Sequence, residues 1–225
     1  MDVLERELGH LQLPDLRGLS VLDIGCWDGY FAFAAERLGA KRVLALDHYV
    51  WSIDMERWLA YRRDREQRGL EIEPSESVPE LWRPDELPGK KGFNVAHEAL
   101  QSDVEVVVGD FLDVDLDTLG TFDVVLYLGV LYHMRHPLLA LERLAQVTRG
   151  VALIETQAQE FKVPGRVAMC RFLERDELSG DPTNWWIPNQ RALVSMCRAA
   201  GFAQAEMIHG SRRAPLYRAY VKAVK

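Results

Sequence analysis

The stretch Val21-Leu-Asp-Ile-Gly-Cys-Trp-Asp-Gly-Tyr30 constrains the fold more than any other part of the chain. An apolar run over residues 19–24 ends in Asp-Ile-Gly, as a buried strand does when it enters a tight turn. Residues 30–38 then carry a helical pattern closed by Gly39, and a second apolar run over 42–46 ends in Asp47. Strand, turn, helix and strand so close together make a βαβ unit, which implies a parallel sheet and a right-handed crossover.

Alternation continues downstream. Strands are expected at 104–108, 122–128, 151–155, 202–208 and 216–224, the last two as antiparallel neighbours. Helices are expected at 1–11, 93–100, 137–147 and 190–200. Two stretches break the pattern. Residues 51–91 join an arginine-dense helix at 51–68 to a segment at 73–91 rich in proline and acid, and residues 161–188 form a second irregular run. Both are too long for plain connections, so they are expected as inserted cap segments of a single domain spanning 1–225.

The balance of 48% hydrophobic and 27% charged residues is that of a globular chain. A formal net charge of −7 repels polyanions at long range, which favours a small-molecule partner over nucleic acid. No apolar run approaches the ~18–20 residues that span a bilayer, and the charged first residues are unlike a signal peptide. Cys26, Cys170 and Cys197 lie far apart without a C-x-x-C pair, as expected of reduced thiols in a cytoplasmic protein. No metal is expected: Asp110, Asp113, Asp115 and Asp117 lack the glycine and terminal glutamate of a calcium loop.

A glycine turn between first strand and first helix lets a ligand approach the backbone. A dinucleotide site would need glycine where Trp27 and Tyr30 stand, and two large aromatics there obstruct the pyrophosphate and the helix packing. Asp47 ends the second strand, where an acid can grip both hydroxyls of an unphosphorylated ribose. Gly109-Asp110-Phe111 follows the third strand, on the side of the sheet where ligands bind.

With Asp23, Gly25 and Gly29 in place, the turn resembles the D-x-G-x-x-x-G signature of class I S-adenosylmethionine-dependent methyltransferases, with Trp27 where a third glycine is often found. The resemblance covers residues 19–155. It implies a Rossmann-like α/β fold: a seven-stranded, mostly parallel sheet with helices on both faces and an inserted cap after the second strand. It also implies S-adenosyl-L-methionine as cofactor. Asp23 would sit near its amino group, and Gly25 and Cys26 would line its methionine and ribose parts. Asp110 would take the adenine amino group, Phe111 would pack on the ring, and Leu128 would pass its carbonyl close by. His48 either contacts ribose or adenine or lies at the surface.

A narrower resemblance lies in Gly129-Val-Leu-Tyr-His-Met-Arg-His-Pro-Leu-Leu-Ala-Leu-Glu142 and in Trp186-Ile-Pro-Asn189, which look like the tRNA wobble-uridine carboxymethyltransferase group. That group has a longer N-terminal region and cationic residues near its late aromatic segment to hold a carboxylated cofactor. Here Asn184-Trp-Trp-Ile-Pro-Asn189 is uncharged, which points to plain S-adenosylmethionine and away from tRNA.

Methyl transfer to a hydroxyl benefits from a base, and His133, after the fourth strand, is the candidate; its other reading is a loop histidine that orients the next helix. His136 reads as a helix-entry residue. Trp51, Tyr132, Trp185 and Trp186 are candidates for an aromatic acceptor wall, and Glu155 either touches the acceptor or caps a loop. Arg57, Arg62, Arg63, Arg65 and Arg68 interleave with acids and read as an ion-paired helix face rather than an RNA site. Arg212, Arg213 and Arg218 are expected on an exposed sheet face. The reading is therefore a methyltransferase acting on a small-molecule hydroxyl, with a tRNA-modifying relative and a non-catalytic binding protein as alternatives.

Overall fold

The computed structural model describes residues 3–162, 167–210 and 216–225. In chain order, α1 (Val3–His10), β1 (Ser20–Ile24), α2 (Tyr30–Arg37) and β2 (Arg42–Asp47) open the fold and include the expected βαβ unit. They lead into α3 (Tyr49–Ser52), α4 (Met55–Arg68), α5 (Lys91–Leu100), β3 (Glu105–Val108), α6 (Leu116–Leu119) and β4 (Phe122–Leu128). Next come α7 (Pro137–Val147), β5 (Thr148–Ala158), β6 (Cys170–Phe172) and β7 (Trp186–Pro188), then α8 (Gln190–Ala199), β8 (Gln204–His209) and β9 (Tyr217–Val224).

Among the described residues, seven strands form one sheet in the order β3-β2-β1-β4-β5-β9-β8. The pairs from β3 to β5 are parallel, and β9 runs antiparallel to both β5 and β8, so the closing strands are the antiparallel neighbours expected. Strand order reverses between β1 and β4, and a parallel α/β sheet opens a crevice at its carboxyl edge there.

The two-residue period of the strands divides the core into two layers. Leu22, Ile24, Leu44, Leu46, Val125, Tyr127 and Ile154 face α7 and α8, where Leu141, Leu144 and Leu193 are fully buried. Val21, Val43, Ala45, Val124, Leu126 and Leu153 face the other way, against Ala32 and Phe33 of α2 and Phe93 of α5. Asp23 shares that second face with Val21, which aims a carboxylate into an otherwise apolar layer. The first helix docks on the same face as α2, towards the β8–β9 edge: His10 stacks on His209 at 3.7 Å between ring centroids, and Tyr220 meets both edge-on.

Several boundaries depart from expectation for identifiable reasons. The single helix expected over 51–68 is interrupted, because Ile53 is extended and Asp54 caps α4 with its side chain on the Arg57 amide. The irregular run 161–188 contains a two-stranded ladder, β6 with β7. β5 is longer than the expected 151–155 because it pairs with β4 along one edge and β9 along the other. The two inserted segments touch each other: Arg62 donates to the Ser179 carbonyl at 2.9 Å and Arg175 lies 3.7 Å from Glu71. Four of the five arginines expected on an ion-paired face of α4 are so paired, Arg57 with Asp54, Arg62 with Glu66, Arg65 with Glu73 and Arg68 with Asp64. Arg212 and Arg213 lie outside the described residues. Among the described residues no helix is long and apolar enough to cross a membrane, and no group of acids, histidines and cysteines could hold a metal.

Gly29 starts α2 at φ +84°, and a Cβ there would meet the rings of Phe33 and Phe93 at 2.5 and 2.7 Å. Gly29→Ala combines left-handed strain with overpacking and should cost about 2–5 kcal/mol. Urea unfolding would measure it, and a midpoint unchanged from wild type would remove Gly29 from the packing of this turn.

Candidate active site

The turn after β1 is tied to the tip of β2 by main-chain bonds. The amides of Gly25 and Cys26 both donate to the Leu46 carbonyl, at 2.8 and 3.3 Å. Gly25 is left-handed at φ +72°, and a Cβ there would lie 2.5 Å from a Val130 methyl, so the exit of β4 rests directly on the turn. Trp27 is also left-handed, at φ +50°, a conformation uncommon for a bulky residue. Its amide donates to Asp47 Oδ2 at 2.9 Å, and its carbonyl accepts the Trp51 indole N–H at 2.7 Å. The Trp27 indole is 54% exposed and stands out toward solvent.

Between these strand tips sit two buried acids. Asp23 is 2% exposed and its Oδ2 has no hydrogen-bond partner. Burial, reinforced by Asp47, pushes its pKa up to about 7, against the opposing pull of the Ala32 amide. Asp47 is 3% exposed, and its Oδ1 accepts from the Val50 amide at 3.2 Å. Burial raises its pKa too, opposed by the amides of Trp27 and Val50. Burial and the same two acids push the Cys26 thiol well above its usual range. Among the described residues no ion pair reaches either acid; the nearby Lys90 ammonium lies over the Trp51 ring, 4.7 Å from its centroid.

Other expected donor-side residues fall on the same carboxyl edge with different exposures. Asp110 is exposed, and its Oδ1 takes the Leu112 amide at 2.7 Å. Phe111 corrects its expectation. Its ring is buried in the core, 5.9 Å from the Tyr127 ring and beneath Arg143, because the Asp110 turn rotates the next side chain inward. Leu128 is half-buried at the end of β4. His48 is half-buried, packed edge-on against Trp82, and its carbonyl takes the Ser52 amide and hydroxyl.

Beyond β4, a 3-10 turn spans Leu131–His133. Tyr132 and His133 rings are 4.3 Å apart, and the Tyr132 carbonyl accepts the Trp185 amide at 2.8 Å. Trp185 is half-buried with Arg135 above its ring at 4.4 Å, and Trp186 donates to the Arg135 carbonyl at 3.3 Å. His133 Nδ1 meets Thr183, and burial pushes the imidazole below its usual range, opposed by Asp181. Trp51 corrects its expectation as an acceptor wall: it is fully buried among Phe93 and its neighbours, and its indole supports the turn carbonyl instead. Arg218 is not on an open sheet face. It forms an ion pair with buried Glu155 and reaches the Tyr132 hydroxyl at 3.4 Å. Burial still holds Glu155 up at about 7. Asp181, Thr183 and the Glu155–Arg218 pair are the components that sequence reasoning missed as a set; the turn-like Asp181-Pro-Thr was the one local signal. A recess of about 380 Å³ between α8 and the β8–β9 edge, lined by Arg198, Glu206 and Lys222, contains none of these residues and lies at the opposite edge of the sheet.

A carboxyl group with a raised folded-state pKa favours the fold below its unfolded pKa and loses that contribution as pH rises through the folded value. Asp23 should therefore weaken the unliganded protein progressively between about pH 4 and pH 7. Asp23→Asn should gain roughly 2–4 kcal/mol relative to wild type over that window. Parallel stability–pH curves for the two proteins would show that Asp23 is not a strained acid.

The family profile described as "Methyltransferase domain" matches residues 2–206. The chain is 27% identical over 220 residues to a tRNA U34 carboxymethyltransferase from Geobacter sp. (strain M21), covering 92% of this chain and 51% of that protein. It is 29% identical to one from Methylococcus capsulatus, covering 87% and 48%. The chain thus spans about half the length of the curated relatives it matches. Among solved structures, the N-terminal domain of EvdMO1 with SAH bound superposes with a TM-score of 0.65 at 19% identity, covering 100% of this chain and 81% of that one. The magnesium protoporphyrin IX methyltransferase of Synechocystis PCC 6803 with bound SAH does so at 0.55 and 16%, covering 100% and 88%. The chain belongs to the methyltransferase-domain family, and its Rossmann-like fold is shared with methyltransferase structures solved with SAH bound.

Proposed function

We propose that the chain transfers a methyl group from S-adenosylmethionine to a hydroxyl of a small-molecule acceptor. The observation that carries the donor side is the unpartnered Asp23 Oδ2, buried beside a second acid and in no ion pair. An uncompensated buried carboxylate is costly, and a bound cation removes that cost. The α-ammonium of the donor suits Asp23. Asp47 would take the ribose hydroxyls, its carboxylate being held at the tip of β2 by the amides of Trp27 and Val50. The turn of Gly25, Cys26 and Gly29 would lie under the methionine and ribose. Asp110, exposed at the tip of β3, would accept from the adenine amino group, and Leu128 and His48 would flank the adenosyl part.

The donor supplies a methyl group on an already activated sulfonium, open to in-line displacement. The protein's part is to hold the acceptor in line, exclude water and receive the acceptor's proton. His133 is the base in this reading. Burial keeps its imidazole neutral near pH 7, the form able to take a proton. Tyr132 and Trp185 would form the acceptor wall, beneath the joined segments 51–91 and 161–188.

The likeness to tRNA U34 carboxymethyltransferases raises tRNA as a second acceptor. Against it stand the net charge of −7 and the pairing of the α4 arginines with acids, which leave a weak electrostatic footprint for a phosphate backbone. Three free cysteines, two of them buried, fit a reducing compartment such as the cytoplasm.

In calorimetry with S-adenosylmethionine, Asp47→Ala should lose about 1.5–3 kcal/mol of affinity. On a panel of hydroxylated metabolites, wild type should yield methylated product, and His133→Asn should lose at least about a hundredfold in turnover with donor affinity retained. Donor binding without product across the panel would sink the enzymatic acceptor reading. Salt-sensitive binding of bulk tRNA would replace the small molecule with RNA.

A further inference from the structure

His133 is held from a part of the chain fifty residues away. Its Nδ1 lies 2.9 Å from Thr183 Oγ1 and 3.3 Å from the Thr183 carbonyl. A carbonyl oxygen only accepts, so Nδ1 carries the proton. Thr183 agrees with that assignment: its single hydroxyl hydrogen is donated to Asp181 Oδ1 at 2.7 Å, which leaves Oγ1 free to accept from the ring. Asp181 Oδ1 also takes the Thr183 amide at 2.9 Å, so one carboxylate oxygen fixes both the main chain and the side chain of Thr183. Thr183 is buried, and the Trp185 amide on the Tyr132 carbonyl closes the two segments together just beyond it. With Nδ1 protonated, a neutral ring has its lone pair on Nε2, and among the described residues no hydrogen bond reaches that atom.

We infer that Asp181 and Thr183 are positioning residues that hold His133 in the Nδ1–H form with Nε2 open to receive the acceptor's proton. The inference rests on His133 as the base, but the tautomer can be observed without knowing the acceptor. In the step it serves, the acceptor O–H proton passes to Nε2 while the oxygen forms its bond to the methyl carbon. The carbon–sulfur bond breaks, its electron pair stays on sulfur, and S-adenosylhomocysteine leaves. The imidazolium so formed faces the Asp181 carboxylate through the Thr183 hydroxyl, one bond further away than in the direct carboxylate–histidine pair of a catalytic triad, and the negative charge still favours it. The other charged or titratable groups acting on the ring are Arg218, which opposes its protonation, and the neighbouring Tyr132.

Long-range nitrogen–proton NMR of the uniformly 15N-labelled full chain tests this, because it separates a protonated ring nitrogen from a bare one. Signals of His133 are assigned by their loss in H133N. Wild type should show a bare Nε2 in the neutral ring, with a titration midpoint below that of a free histidine. D181N keeps an oxygen for the Thr183 amide and removes only the charge, so the midpoint should fall by roughly one further unit. T183V should broaden or mix the tautomers, and T183S should restore the wild-type pattern. An Nε2–H tautomer in wild type, or a D181N titration identical to wild type, would overturn the relay. An intact Nδ1–H pattern alongside full product formation by H133N would instead overturn the base reading and with it the relay's purpose.

Discussion

Asp23 and Asp47 are buried at the carboxyl edge of the sheet, neither of them in an ion pair. Neither can move away. Asp23 is pinned by strand register, paired with Ala45 on one side and Leu126 on the other, and Asp47 is clamped by the amides of Trp27 and Val50. Much of the surrounding geometry follows from accommodating these two groups. The left-handed turn at Gly25 and Trp27 exists to present an amide to Asp47, and buried Trp51 props the carbonyl of that same turn. Strain of this kind concentrates where a protein binds something, since a fold with no ligand to accommodate gains nothing from it.

A second buried electrostatic unit, Glu155 with Arg218, lies across the β4 exit, and it differs in kind. Its charges are mutually compensated, so it is a structural clasp between β5 and β9 that also touches the Tyr132 hydroxyl. The contrast separates two buried acids outside any ion pair from one that has its cation in contact. Trp27, large where the family signature often has glycine, does not disturb this division because its indole is turned outward.

Much of the fold was legible because burial is written in local periodicity: β1, β2 and β4 are short apolar runs whose ends coincide with Asp, Gly or both. The positions of Asp23 and Asp47 at the ends of their strands were legible for the same reason. What was not legible is non-local. Nothing near His133 in sequence names Thr183 as its partner, and nothing near Glu155 names Arg218. Trp51 and Phe111 were misread in a similar way, since an aromatic beside a predicted site looks the same in sequence whether it faces the ligand or the core. The break at Ile53 escaped notice because periodicity registers a helix better than its interruption.

The reversal of β9 has a consequence for the ends of the chain. In a parallel strand the last residues arrive at the ligand edge, but here it is the first ones, so Arg218 comes to the β4 exit while the chain runs onward to the opposite rim. Lys225 finishes there, its amide on the Gly150 carbonyl at the start of β5. A reporter or affinity handle attached at Lys225 would stand at the rim opposite Asp23 and Asp47.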